Sequence, residues 1–163
     1  MNTVRKLPIG IQDFEYLRTD NCLYVDKTQY IYQLLQGKPY FLGRPRRFGK
    51  SLFLSTLKAY FEGKKHLFEG LAIYELEKDW TQYPVIYIDF NRESYSNIDF
   101  FNKSLDTNLS IHEAKWGKVE NETTPASRLI GLIHRAYEKT GQKVVVLIDE
   151  YDKPLINTME NSD

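Results

Sequence analysis

Gly49-Lys50-Ser51 stands where a basic turn meets an apolar-rich stretch, and these three residue types in this order are suited to binding phosphate. Backbone N–H groups in such a turn point at phosphate oxygens. The lysine reaches the outer phosphates, and the hydroxyl that follows it can ligate Mg²⁺. Upstream, Tyr40-Phe41-Leu42 has the apolarity of a strand, and Gly43-Arg44-Pro45-Arg46-Arg47-Phe48 makes the turn. A helix opening at Gly49 would add unpaired N–H groups and the positive end of its dipole. The candidate binding residues are Gly43, Arg44, Arg46, Arg47, Phe48, Gly49, Lys50 and Ser51. The spacing departs from the usual phosphate loop, because Arg44 stands where the leading glycine is expected and Gly43 comes just before it. Taken alone, the triplet is also what chance would place before a surface helix.

A second motif lies far downstream. Val144-Val145-Val146-Leu147-Ile148 is an unbroken aliphatic run that ends in Asp149-Glu150. The run predicts a strand buried on both faces, as in a parallel sheet covered by helices. Open α/β sheets bind ligands at the carboxyl ends of their strands. There Asp149 would hold Mg²⁺ through water and Glu150 would polarise an attacking water. A core strand ending in a solvated acidic turn would look the same in isolation. Together and in this order, the two motifs point to a nucleotide site.

Composition narrows the class. The 163 residues suffice for one domain with its own core, and 42% hydrophobic with 27% charged residues is ordinary for a soluble globular chain. A formal net charge of zero gives no bulk attraction for nucleic acid or an acidic membrane. The local cluster of Arg44, Arg46, Arg47 and Lys50 is confined to one turn, which suits a polyphosphate better than a polymer. A single cysteine, Cys22, excludes an intrachain disulfide and fits the cytoplasm. Neither a membrane-length apolar run nor a signal-peptide core is present. The histidines at 66, 112 and 134 lack ligand spacing, so no metal beyond a nucleotide-borne Mg²⁺ is expected. The 12 tyrosines and 9 phenylalanines are spread over the whole chain, which fits core positions rather than a base-stacking platform.

The elements that would position these residues follow from punctuation and period. Residues 1–20 read as an irregular lead-in, and Leu23-Tyr24-Val25 as a short strand. Asp26 is a plausible N-cap for a helix carrying Ile31, Leu34 and Leu35 and stopping near Gly37. A helix is expected from about Gly49 to Glu62, and a helical turn within Leu67–Trp80. Pro84–Phe90 reads as a strand closing on Asp89, which either faces the site or, in the favoured reading, caps the turn that follows, and Ser94–Asn97 is turn-like. Ile98 to about Lys115 is weakly helical, Gly117–Thr124 is loop, and Pro125–Lys139 is a helix ended by Gly141.

Leu7-Pro8-Ile9-Gly10, Tyr24-Val25-Asp26-Lys27-Thr28, Arg44-Pro45-Arg46-Arg47-Phe48-Gly49-Lys50-Ser51 and Ile148-Asp149-Glu150-Tyr151-Asp152-Lys153-Pro154-Leu155 together resemble the bacterial AAA-ATPase-like family of P-loop proteins. Arg44 in place of glycine is expected in that family. The resemblance covers nearly all of residues 1–163 and implies a RecA-like α/β P-loop core, three-layered around a mainly parallel sheet, that binds ATP and Mg²⁺. It implies that Lys50 contacts the β- and γ-phosphates, that Ser51 and Asp149 serve Mg²⁺, and that Glu150 is the base. Members often continue into a region resembling a PD-(D/E)XK nuclease. Nothing after Pro154 can supply the strand expected between the two motif strands, so the domain reads as an incomplete N-terminal portion with exposed sheet edges and marginal stability. Mg-dependent ATP hydrolysis that regulates an attached or partner domain is the leading expectation. A nucleotide-dependent switch with negligible turnover, a small-molecule kinase and a nucleic-acid module are the alternatives. This stretch gives the last no independent support.

Overall fold

The computed structural model describes residues 5–34, 43, 48–90 and 98–151. They belong to two compact units, Met1–Gln82 and Tyr83–Asp163.

The regular elements described in the first unit are helices. Asp13 opens α1 (Phe14–Thr19) by accepting the Tyr16 N–H, so residues 1–20 contain a helix where an irregular lead-in is expected. Its six residues are too few for a periodic signal, and the cap together with burial of Phe14 and Leu17 makes it form. The expected strand at Leu23–Val25 is absent. In its place Lys6 and Cys22 form an isolated parallel bridge.

Asp26 also does something other than cap the next helix, α2 (Gln29–Leu34). One carboxylate oxygen accepts the Thr28 N–H and hydroxyl, and the other accepts the N–H of Ala72 at the start of α4 (Ala72–Leu76). Thr28, fully buried, adds its hydroxyl as acceptor for the Ile73 N–H. Burial opposes ionisation of Asp26, but these amides and the Thr28 hydroxyl outweigh it and hold the carboxyl below its ordinary range.

The long helix α3 (Lys50–Phe61) buries Phe53, Thr56, Leu57, Ala59 and Tyr60. A single-turn 3-10 helix at Lys65–Phe68 follows, so the expected turn within Leu67–Trp80 resolves into two short helical pieces. Phe14 meets Phe68 with ring centroids 4.9 Å apart, and Trp80 meets Phe68 at 5.2 Å and Tyr60 at 5.6 Å. Here the aromatic residues build core, as their scatter along the chain predicts.

The second unit is a parallel β-helix-helix-β crossover. Strands β1 (Val85–Asp89) and β2 (Val145–Asp149) pair in parallel with Val85 opposite Val145 and Asp89 opposite Asp149. Parallel neighbours need a long connection, here made by α5 (Ile98–Trp116) and α6 (Pro125–Thr140). Thr124 and Ser127 cap α6 reciprocally, Pro125 occupies its first turn, and Gly141 ends it in a left-handed conformation. Ile86, Ile88, Phe90, Leu109, Trp116, Leu132 and Ala136 form the core, with Val144 packed beside them.

The helices centre on β1, which overturns the expectation that the acidic strand is buried on both faces. Val146 is 36% and Ile148 42% exposed, while Leu147 and Asp149 are buried. The free edge of β1 is closed by side chains of α5. Asn108 accepts the Asp89 N–H at 3.0 Å and donates to the Asp89 carbonyl at 3.2 Å. One turn on, His112 Nε2 lies 3.1 Å from the Tyr87 nitrogen and 2.9 Å from the Tyr87 carbonyl oxygen, accepting from the first or donating to the second according to tautomer. The edge expected to lie open on this side is therefore hydrogen-bonded.

Between the helices, Arg128 makes a two-pronged contact with Glu113 (2.6 and 2.9 Å) and also bonds Asp106. Both Arg128 and Glu113 are buried. The Arg128 hydrogen bonds hold the Glu113 carboxyl below its ordinary value, and Glu113 raises the arginine in turn. A depressed carboxyl stabilises the fold above its unfolded pKa and loses that contribution as pH falls through the lower folded value. Stability should therefore drop as pH falls below about 4.5, the ordinary value for Glu113. Glu113→Gln should lower stability at neutral pH by about 3 kcal/mol, as for a broken buried pair, and flatten that acid dependence. Urea unfolding of both proteins across pH measures this, and parallel curves would refute it.

Candidate functional site

Gly49 adopts a left-handed conformation (φ 74°, ψ 26°) at the N-cap of α3, and as a glycine it supplies no side-chain cap to the helix. Lys50 and Ser51 are the first two helical residues, so their N–H groups and that of Leu52 have no acceptor within the helix. The start of α3 thus combines donors, a helix dipole, a lysine ammonium and a serine hydroxyl, the set a phosphate group requires.

The rest of the unit holds α3 in place. Ser55 accepts the Phe14 N–H at 2.9 Å, joining α3 to the start of α1. Thr56 donates to the Leu52 carbonyl at 2.8 Å, with the Tyr24 hydroxyl 3.4 Å from the Thr56 oxygen. Lys50 and Ser51 are half-buried, whereas Gly43, Phe48 and Gly49 are exposed. Arg44, Arg46 and Arg47 lie outside the described residues, as do the expected strand Tyr40–Leu42 and the segment from Asp152 onward.

In the second unit, β2 delivers Asp149 and Glu150 to the carboxyl end of the sheet. Asp149 is 3% exposed, and its carbonyl accepts the Phe90 N–H at 3.2 Å. The Tyr87 hydroxyl, on the same face of β1, lies 3.3 Å from Asp149 Oδ2. Glu150 is half-buried with φ 54°, a left-handed conformation rare for a residue with a side chain. That turn takes Glu150 out of the strand's alternation immediately after Asp149. Asp89 lies opposite Asp149 across the sheet, and its backbone is held by Asn108.

The donors suit a hard divalent cation. Mg²⁺ takes oxygen ligands and is usually held by one or two carboxylates together with substrate phosphates. Asp149 offers a nearly buried carboxylate with the neutral phenol of Tyr87 beside one of its oxygens. Among the described residues no group of three or more His, Cys, Asp and Glu side chains could hold a metal without such phosphates.

The sequence model of a family described as predicted AAA-ATPase matches residues 8–163. The chain belongs to the AAA-ATPase-like family. It is also 42% identical over 158 residues to a protein of Azotobacter chroococcum mcd 1 described as an uncharacterized protein in the vnfD 5′ region. That alignment takes in 95% of this chain and 30% of the relative, so the chain spans under a third of the relative's length. No solved structure matches the chain.

Membership in the AAA-ATPase-like family points to nucleotide binding, and the small parallel sheet among helices is compatible with a domain of that kind. No helix among the described residues is long and apolar enough to cross a membrane. The structure places Lys50 with Ser51 at one helix start and Asp149 with Glu150 at one strand end, each pair within its own unit. Tyr87 was not legible as a site residue. Alternation along β1 puts it on the face of Asp89, but only the strand register puts it beside Asp149.

Left-handed backbone at a residue with a side chain costs about 1–2 kcal/mol, which glycine avoids. Glu150→Gly is therefore expected to raise unfolding free energy by about 0.5–1 kcal/mol, net of its greater unfolded-state entropy. Denaturant unfolding checks this, and a destabilised variant would show that the Glu150 side chain supports the fold.

Proposed function

We propose that this AAA-ATPase-like chain binds ATP with Mg²⁺ and hydrolyses it. The observation that carries the reading is that Gly49-Lys50-Ser51 stands at the start of α3, with Gly49 in a left-handed conformation. The N–H groups at that start receive phosphate oxygens, Lys50 neutralises charge on the β- and γ-phosphates, and Ser51 and Asp149 serve the cation. Gly43, Arg44, Arg46, Arg47 and Phe48 complete the binding loop in this reading. Mg²⁺, when bound, offsets negative charge on the phosphate oxygens as the transition state develops.

Glu150 orients a water and accepts its proton as the water oxygen bonds to the γ-phosphorus. The bond from that phosphorus to the bridging oxygen breaks, and ADP leaves with the electron pair. The strained backbone of Glu150 supports this role, since such conformations cluster at functional sites. Hydrolysis would regulate an attached or partner domain in the cytoplasm, and a PD-(D/E)XK nuclease-like region is the attached domain the family resemblance implies.

Calorimetric titration with ATP and Mg²⁺ tests the reading. Lys50→Ala should weaken binding roughly 10- to 100-fold, since hydrogen bonds to charged groups contribute about 1.5–3 kcal/mol. Glu150→Gln should keep the affinity and lower turnover by about 10²–10⁴-fold. Equal affinity of wild type and Lys50→Ala would overturn the site. Tight binding with turnover unaffected by Glu150→Gln would remove Glu150 from the chemistry, and binding without any wild-type turnover would identify a nucleotide-dependent switch.

A further inference from the structure

We propose that Tyr87 is a positioning residue for the Asp149 carboxylate, turning it to present Oδ1 to a nucleotide-borne divalent cation; this rests on the nucleotide–Mg²⁺ reading above. Tyr87 pairs with Leu147 in the parallel register, so Asp149 is its diagonal neighbour on the same face, within reach of a long aromatic side chain. The phenol hydroxyl, 3.3 Å from Oδ2, donates to that oxygen. A carboxylate only 3% exposed needs such a partner, and a neutral donor on one oxygen leaves the net negative charge of the group in place. A cation at the same oxygen would compete with Oδ1, whereas the phenol restricts rotation of the group without offsetting its charge.

The backbone behind Tyr87 is held as well. His112 Nε2 lies within hydrogen-bond distance of both the nitrogen and the carbonyl oxygen of Tyr87, and Asn108 clamps Asp89 two residues on. The β1 edge is thus bonded to α5 on one side and to β2 on the other, so the phenol is delivered from a rigid base. At 3.3 Å the bond is longer than the usual 2.7–2.8 Å of O–H···O pairs. That slack lets it shorten when the carboxylate is drawn into one orientation, as catalytic hydrogen bonds do on complex formation.

The test is a double-mutant cycle on the whole chain with Tyr87→Phe, Asp149→Asn and the double variant. ATP affinity is measured by calorimetry with Mg²⁺ and again with EDTA, and the ratio of the two is the magnesium increment. Removing one hydroxyl keeps the ring and its packing, and melting temperatures verify that each variant is folded. Tyr87→Phe should leave the affinity in EDTA unchanged and reduce the increment about 3- to 10-fold, the range for one hydrogen bond. The double variant should match Asp149→Asn alone, because Tyr87 acts through that carboxylate. A full increment in Tyr87→Phe, or independent losses that multiply in the double variant, would show that Tyr87 only packs and would overturn the proposal. If ATP binds wild type and Lys50→Ala alike, or if wild type shows no magnesium increment, the nucleotide–Mg²⁺ reading itself fails and the proposal falls with it.

Discussion

Parallel pairing of β1 with β2, Val85 opposite Val145 through Asp89 opposite Asp149, is the constraint on which the second unit depends. Parallel strands cannot be joined by a tight turn, so the chain must leave β1 and return through α5 and α6. Those helices bring the apolar residues that cover Ile86, Ile88 and Phe90. The same register delivers Asp149 and Glu150 to the carboxyl end of the sheet and sets Tyr87 diagonally beside Asp149. A slip of one residue would turn Asp149 to the opposite face and separate it from that phenol.

Several polar side chains within this unit bond specific partners, although Trp116 Nε1 and Arg135 Nε are buried without one among the described residues. Asn108 and His112, one turn apart on α5, satisfy the backbone of β1 as a neighbouring strand would. Glu113 follows on the same helix and joins Arg128 of α6. Across α6, Arg135 meets Glu122 with two hydrogen bonds beside Gly131, where an added Cβ would lie 1.7 Å from a Glu122 carboxylate oxygen. Small size at Gly131 leaves room for that ion pair, which accounts for a glycine inside a helix despite its low propensity. A buried ion pair adds little over an apolar pair of the same shape, but losing one partner is costly, so these contacts act mainly to select one packing of α5 on α6.

The first unit solves a different problem, presenting the start of α3 in a fixed direction. Aromatic packing of Phe14, Tyr60, Phe68 and Trp80 surrounds the helix, and Ser55 and Thr56 attach it to α1 and Tyr24 through hydrogen bonds. Arg18 adds two bonds to the carbonyls of Leu67 and Glu69. Asp26 and Thr28 extend the framework to the first amides of α4. In the proposed reading the start of α3 binds phosphate through the direction of its N–H groups, and a rigid mounting would serve that role.

Residues within a turn of one another determined α3 and α6 directly from sequence. Gly49 and Gly63 bracket α3, and Pro125 and Gly141 bracket α6, because caps and breakers act over a few bonds. The aliphatic runs before Asp89 and Asp149 likewise announced two strands. Helix α1 escaped notice because a six-residue helix has too little period, and Asp26 was legible as a capping residue but not as the partner of α4. Only tertiary structure decided that Val146 and Ile148 stay exposed, that α5 closes the β1 edge and that Tyr87 reaches Asp149. Those outcomes depend on which distant segments pack together and in what register, and neither is encoded in any single stretch of the chain.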